Sequence, residues 1–274
     1  MGNGMSNFTD FIGGGGGSAS FPTIFLSKSQ TWVPPQDGNI CIHVIGAGGS
    51  GAARYNNNQM TSGAAGGYCR KNSLAVTTSG SFTVVIGAGG YSVSSAAGIA
   101  GGNTTFAGTG LGSTLTANGG GGGNLSYTNA SGGTASGGDV NNTGGLGGYQ
   151  KGGGAVGLTG TGNQGDNPSS VQFRGAECDI VGDFWSSSLG QIAGGKRGNP
   201  AYVYTAIGMG VDTLDAGPLS GGGCMYSDSG TTSSTPAGHA SIGGGGGYSL
   251  NYANAAYTLS GRGGEGIVVI QYIP

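Results

Sequence analysis

A chain whose runs at 13–17, 119–123 and 243–247 are glycine throughout cannot hold those stretches in place with side chains. Ordering a backbone residue costs about 1–2 kcal/mol of conformational entropy, and glycine loses more than any other residue. Only main-chain hydrogen bonds to other segments can offset that loss, because every N–H and C=O withdrawn from water needs a partner. With 68 glycines in 274 residues, this requirement governs the whole chain. Each glycine in a helix interior costs about 1 kcal/mol relative to alanine, and no 3.6-residue periodicity is present, so α-helix is excluded for these stretches. Eight prolines and the lack of a sustained G-X-Y repeat exclude collagen. GGLGGY at 144–149 and GRGGEG at 261–266 instead bring glycine back at every third residue. A left-handed helix of polyproline type has that period, rises about 3.1 Å per residue and makes no internal hydrogen bonds. The expectation is a lattice of such glycine helices, bonded sideways at spacings that only glycine permits.

Charge points away from several functions. Charged residues make up 7% of the chain and the net charge is −2, which gives no field to draw in nucleic acid or an anionic membrane. Disordered chains combine high charge with low hydrophobicity, and neither holds here. Cys41, Cys69, Cys178 and Cys224 are scattered without a C-x-x-C pair and read as reduced small hydrophobes. Apolar runs such as 267–270 fall far short of the roughly 20 residues a membrane helix needs, and no secretory leader or membrane insertion is expected.

Three regions follow along the chain. Residues 1–20 hold the apolar anchors Phe8, Phe11 and Ile12 and then a glycine run, the pattern of a docking peptide and its linker. Residues 21–106 carry strand signals: FPTIFL, TWVPP, NICIHVIG at 39–46, YCRKNSLAV at 68–76, SFTVVIG at 81–87 and NTTF at 103–106. The period of two at 39–46 sets Ile40, Ile42 and Val44 on one face, and TTSG at 77–80 reads as a turn. GIVVIQYI at 266–273 is expected to return and pair with the first strands. Residues 107–264 alternate glycine clusters with polar or aromatic spacers. The predicted fold is therefore mainly β plus polyglycine-II-type helices. A small antiparallel β-sandwich platform at 21–106, completed by 265–274, precedes a glycine bundle at 107–264 with long loops and almost no α-helix.

Motifs with chemical promise are weak. Gly46-x-Gly48-x-x-Gly51 follows a strand, as in a dinucleotide site, yet that site needs a helix next and an acidic residue about 20 positions on. AARYNNNQMTS is a poor helix, and no Asp or Glu occurs between Asp37 and Asp139. Gly190–Lys196 lacks the Ser or Thr of a phosphate loop, since Arg197 follows. His43 and His239 are far apart, with no nucleophile, base and orienting group in evident array. Asp166, Glu177, Asp179 and Asp183 read as a solvated loop with Arg174 as counter-charge, rather than as a calcium or glycosidase set. No cofactor, no metal and no enzymatic activity are expected.

Five elements in order carry a resemblance: Thr31-Trp32-Val33-Pro34, Ile42 to Gly49, Gly66-Gly67-Tyr68, Val84 to Gly90 and Gly261 to Tyr272. Together they resemble a glycine-rich domain common in phage tail proteins, and the chain is similar in kind to the polyglycine-helix adhesins at the tail-fibre tips of some T-even-like phages. It departs from those in having only a short N-terminal segment in place of their larger attachment domain. The resemblance implies a virion protein, made in the bacterial cytoplasm, that attaches the tail to the host. Its partners would be other tail or fibre proteins through residues 1–20 and a host outer-membrane protein or polysaccharide, with no nucleic acid; a homo-oligomer is compatible with the resemblance. A purely structural tail component is the alternative, and a polysaccharide depolymerase ranks last. Packed glycine helices put their spacers at the bundle ends, where Tyr and Trp offer rigid contact area. The receptor-facing candidates are Tyr127, Phe173, Phe184, Trp185, Tyr202, Tyr204, Tyr226, Tyr252 and Tyr257, and the tail-docking candidates are Phe8, Phe11 and Ile12.

Overall fold

A computed structural model describes residues 23–55, 60–149 and 259–273, and between the last two spans residues 153–154, 156–157, 160–162, 164, 166–169, 172–174, 226–228, 240, 242–247 and 249–251. The docking candidates Phe8, Phe11 and Ile12 lie outside the described residues. The strands are β1 (Thr23–Leu26), β2 (Gln30–Trp32), β3 (Gly38–Ile45), β4 (Ala53–Tyr55), β5 (Tyr68–Val76), β6 (Phe82–Val85), β7 (Thr104–Gly108) and β8 (Leu115–Ala117). They continue with β9 (Ala135–Ser136), β10 (Val140–Asn142), β11 (Asp166–Ser169), β12 (Gln172–Arg174), β13 (Tyr226–Asp228), β14 (Ser249–Asn251) and β15 (Ile267–Ile273). The described residues are mainly β-sheet and contain no α-helix.

Two five-stranded antiparallel sheets dominate, ordered β1-β15-β3-β5-β10 and β2-β6-β7-β8-β9. The last strand, β15, pairs with both β1 and β3, so the first and last described strands meet in one sheet. The alternating pattern on β3 puts Ile40, Ile42 and Val44 into a core with Val268 and Ile270. Trp32, Phe82 and Phe106 of the second sheet close that core from the other side. Phe82 and Phe106 stack at 5.0 Å and Trp32 tilts onto Phe82 at 5.5 Å, within the range where aromatic pairs add stability beyond their buried area. The turn after β5 is held by Gly80 N–H donating to the Thr77 carbonyl at 2.8 Å.

Beyond the sheets, the strands run on as glycine-rich segments that belong to neither ladder. β3 continues into 46–53, β6 into 86–90 and β8 into 118–124, while 61–67, 98–102 and 260–266 lead into β5, β7 and β15. The main-chain bonds of 46–53 follow a three-residue cycle. Gly46, Gly49 and Ala52 donate to the carbonyls of Gly67, Ala64 and Thr61. Ala47, Ser50 and Ala53 donate to Gly102, Ile99 and Ala96, and Gly48 and Gly51 to Gly264 and Gly261, all at 2.8–3.2 Å. Carbonyls on the same segment accept from three more directions. Ala47 and Ser50 take Gly120 and Gly123, Gly49 and Ala52 take Gly246 and Ser249, and Gly48 takes Gly90. Segment 61–67 repeats the cycle, donating to 118–124 at every third residue, to Gly148 and Gly145 from Ser62 and Ala65, and to Gly246 and Gly243 from Gly63 and Gly66.

Close approach is what makes these positions glycine. A Cβ on Gly48 would run into the Gly244 carbonyl, one on Gly63 into the Gly49 carbonyl, and one on Gly66 into the Gly46 carbonyl. Within 46–53 and 61–67 the side chains are small and fully buried, as at Ala47, Ala52, Ala64 and Ala65. Glycine packing is therefore not confined to 107–264. Residues 46–53 and 61–67, early in the chain, donate and accept at its centre.

Candidate functional site

The pairing registers give the molecule two poles. β3 and β15 face the glycine segments with Ile45 and Ile267 and point away from them with Asn39 and Ile273. The turns at 77–81 and 109–114 share that away pole, because β6 and β7 enter the glycine region at Val85 and Thr104. At the opposite, glycine pole the segments end in loops 91–97 and 124–130. Parallel strands β4, β14 and β13 lie at the same pole, since β4 follows directly on 46–53.

The loops at the glycine pole carry the exposed tyrosines. Tyr91 is 64% exposed and Tyr127 is 55% exposed. The Tyr127 ring is met edge-on by Tyr149, with centroids 4.7 Å apart at 79°. Local hydrogen bonds fix the loop beneath them. Asn124 Nδ2 donates to the Thr128 carbonyl at 2.8 Å, Thr128 N–H donates to Ser126 Oγ at 3.3 Å, and Tyr149 N–H donates to Asn129 Oδ1 at 3.3 Å. Gly98 N–H donates to the Gly123 carbonyl at 2.8 Å and so ties the end of one loop to the start of the other.

Of the receptor-facing candidates, Tyr127 is placed at this pole with its ring in solvent. Phe173 and Tyr226 are placed by their backbone alone: Phe173 within β12, and Tyr226 in β13, in register with Ser249 of β14. Phe184, Trp185, Tyr202, Tyr204, Tyr252 and Tyr257 lie outside the described residues. Tyr91 is the residue sequence reasoning missed. Its signal was an aromatic straight after a glycine pair, as at Tyr149, but Tyr68 follows a glycine pair too and is buried.

Those suspected chemical motifs that fall on described residues are built into the fold, while Glu177, Asp179, Asp183, the segment 190–196 and His239 lie outside the described residues. Gly46–Gly51 is followed by strand β4 rather than a helix, and its amides are all given to carbonyls of the chain, so none is left to cradle a phosphate. Carboxylates secure backbone and counter-charges. Asp37 accepts from Thr78 N–H at 2.7 Å, and Glu265 accepts from both Gly89 N–H and Arg262. Asp139 takes Lys71 and the Asn72 N–H at 2.8 Å each, and these bonds hold its carboxyl below the usual carboxylate range. The β11–β12 register sets Asp166 opposite Arg174. No group of three or more His, Cys, Asp or Glu side chains suited to a metal occurs among the described residues.

One polar cluster is buried on the outer face of the first sheet. His43 is 5% exposed, shares a 2.7 Å hydrogen bond through Nδ1 with the Tyr68 hydroxyl and lies 3.4 Å from Cys41 Sγ. Desolvation, helped by the nearby Arg70 cation and opposed by a bond to Gln271, lowers the His43 pKa to about 4. Burial also raises the Tyr68 hydroxyl, the Cys41 thiol and the Cys69 thiol, the last to about 11. Cys41 and Cys69 are both free thiols. A neutral imidazole beside an un-ionised thiol is a hydrogen-bonded sheet residue, not an activated nucleophile pair.

The model of a family described as a glycine-rich domain matches residues 25–273. The chain belongs to this family. The match runs from within β1 to the last residue of β15 and so takes in both sheets and every described glycine segment. No curated protein matches the sequence. In this chain the matched residues form strands that continue as mutually bonded glycine segments, with loops at the far end.

Proposed function

We propose that this chain is a receptor-binding protein of a bacteriophage tail fibre or tail tip, which attaches the virion to the host surface. The observation that carries the reading is polarity. The chain passes through Thr23 and Ile273 on the side turned away from the glycine segments, while Tyr91 and Tyr127 are exposed at the opposite pole. A protein held at one end and presenting rigid aromatic contacts at the other is suited to adhesion. The ordered glycine-rich motifs, similar to those of phage tail domains, support the same reading. In it, residues 1–20 with Phe8, Phe11 and Ile12 dock to other tail or fibre proteins. Copies on one virion multiply weak contacts into firm attachment.

The glycine segments are, in this proposal, three-residue helices of the polyglycine II type. Two observations support that. Donor partners recur at every third residue along 46–53 and 61–67. Among the described residues the positive-φ glycines are Gly38, Gly108, Gly110, Gly112, Gly137 and Gly243, and of these only Gly243 lies within the glycine segments, at the first residue of 243–247, as a helix with φ near about −75° requires.

Host cells pre-incubated with the purified protein should lose phage adsorption, with the adsorption rate falling at least about tenfold at saturation as receptors are occupied. Unchanged adsorption at saturating protein would turn the reading towards a structural tail component that contacts only its neighbours.

A further inference from the structure

Resting on the receptor-binding reading, we propose that the surface formed by Tyr127, Tyr149 and loop 124–130 takes an uncharged saccharide chain. Its chemistry combines two kinds of group and lacks a third. The first kind is aromatic: one ring, Tyr127, is well exposed and is braced by a second. Tyr127 cannot swing freely, because Tyr149 packs edge-on against it at 4.7 Å. A fixed ring offers a flat apolar face at little entropic cost, which suits the C–H face of a pyranose.

The second kind is neutral and polar. Ser126, Thr128 and Asn129 are exposed beside Tyr127. Ser126 Oγ accepts from Thr128 N–H and so keeps its own proton to donate. Asn129 Oδ1 accepts from Tyr149 N–H, which leaves the two amide protons of Asn129 as surface donors. Asn124 uses one Nδ2 proton on the Thr128 carbonyl and keeps its Oδ1 as an acceptor. Sugar hydroxyls both donate and accept, and held amide and hydroxyl groups of mixed sense complement them.

The missing kind is charge. No Asp, Glu, Lys, Arg or His occurs between Lys71 and Asp139, the stretch that contains loop 124–130; Lys151, two residues after Tyr149, lies outside the described residues. Protein-binding surfaces favour Arg among their dominant contacts, and anionic ligands need cations. Arg54 of β4 is exposed at the same pole but belongs to a different element, and Arg262 is paired with Glu265 at 3.0 Å. An uncharged glycan is the partner that uses what this loop contains and needs nothing it lacks.

Saturation-transfer NMR on the whole chain, with linear gluco-, galacto- and manno-hexasaccharides as neutral probes and a sialic acid oligomer as the anionic one, tests this. Transfer to at least one neutral probe is expected, with an affinity unchanged between low and high salt. Tyr127→Ala should weaken it at least tenfold, Tyr149→Phe should preserve it, and Arg54→Ala should leave it unaltered. Tyr127 is exposed, so its removal leaves the fold intact, which a matching thermal melt verifies. No transfer from any neutral probe at millimolar concentration overturns the proposal, as does an unchanged affinity in Tyr127→Ala or binding confined to the anionic probe and lost with salt. Protein that blocks adsorption yet binds none of the neutral probes refutes the saccharide and leaves receptor binding standing. Protein that binds the saccharide without blocking adsorption does the reverse.

Discussion

Gly48→Ala and Gly63→Ala should each lose more than about 4 kcal/mol of stability and accumulate as insoluble or protease-sensitive chain, while Gly160→Ala stays within about 0.5 kcal/mol of the parent. All three changes add one methyl group. At Gly48 and Gly63 that methyl would overlap the carbonyls of Gly244 and Gly49, which are backbone atoms held by bonds of their own. A crowded side chain can rotate away, but a crowded carbonyl moves only with its whole segment. Shifting 243–247 to relieve Gly48 would pull Gly246 off Gly49 and Gly245 off Gly154. At Gly160 an added Cβ meets nothing within 4 Å. A domain's total stability is about 5–15 kcal/mol, so one buried methyl consumes a large share of it. Urea unfolding of the soluble variants and limited proteolysis of the rest measure the contrast. A Gly48→Ala protein within about 1 kcal/mol of the parent would mean that backbone closeness is not what requires glycine there.

Acid should unfold the protein through His43 before its carboxylates titrate. The folded pKa is about 4 and the ordinary value 6.5. The unfolded chain therefore binds this proton first, and stability is complete above pH 6.5 and declines as the pH falls towards 4. The full loss is on the order of 3 kcal/mol, at about 1.4 kcal/mol per pKa unit. The groups around the imidazole fix the sign. Tyr68 and Arg70 come from β5, Cys41 from β3 itself and Gln271 from β15, and none supplies a negative charge to stabilise an imidazolium. The sequence has one other histidine, His239. Chemical unfolding at pH 7 and pH 4.5 should show the decline in the parent and in His239→Gln, and a nearly flat profile in His43→Gln. A parent profile that is flat across that window, or a decline that survives in His43→Gln, would contradict the buried neutral imidazole.

Both effects have the same origin, a fold that places hydrogen-bonding groups where water cannot replace them. Much of that fold is legible in the sequence. The alternation of Ile40, Ile42 and Val44, the TTSG turn and the apolar run at 267–270 each signal a strand or a turn by local pattern. Period-three glycine likewise announces segments bonded to neighbours rather than to themselves. Short strands such as β8, β9 and β10 were not legible, because LTA, AS and VNN are too brief to show any period. β8 and β9 lie in ladder register with β7, and β10 pairs with β5, so each is set by partners outside its own segment.

The centrality of 46–53 was hidden for a related reason. Nothing local distinguishes GAGGSGAA from the glycine clusters after 107; only its partners in 61–67, 96–102 and 261–264 do, and those are set by tertiary structure. The candidate surface was half visible. Tyr127 stood out as an aromatic between glycine runs. Tyr91 did not, because burial of a tyrosine after two glycines depends on which pole the segment reaches: Tyr68 starts a strand at the sheets, and Tyr91 leaves the lattice at the tip.

Amide hydrogen exchange resolved at single residues, along 46–52 and 61–67, tests the central claim that glycine backbone is the core of this protein. If the amides of Gly46, Gly49, Gly63 and Gly66 are locked into the lattice, they exchange only on global unfolding, as slowly as those of Ile42 and Val44 in β3. Exchange of those glycines within seconds, while β3 stays protected, would show the segments to be loops lying on a conventional two-sheet core.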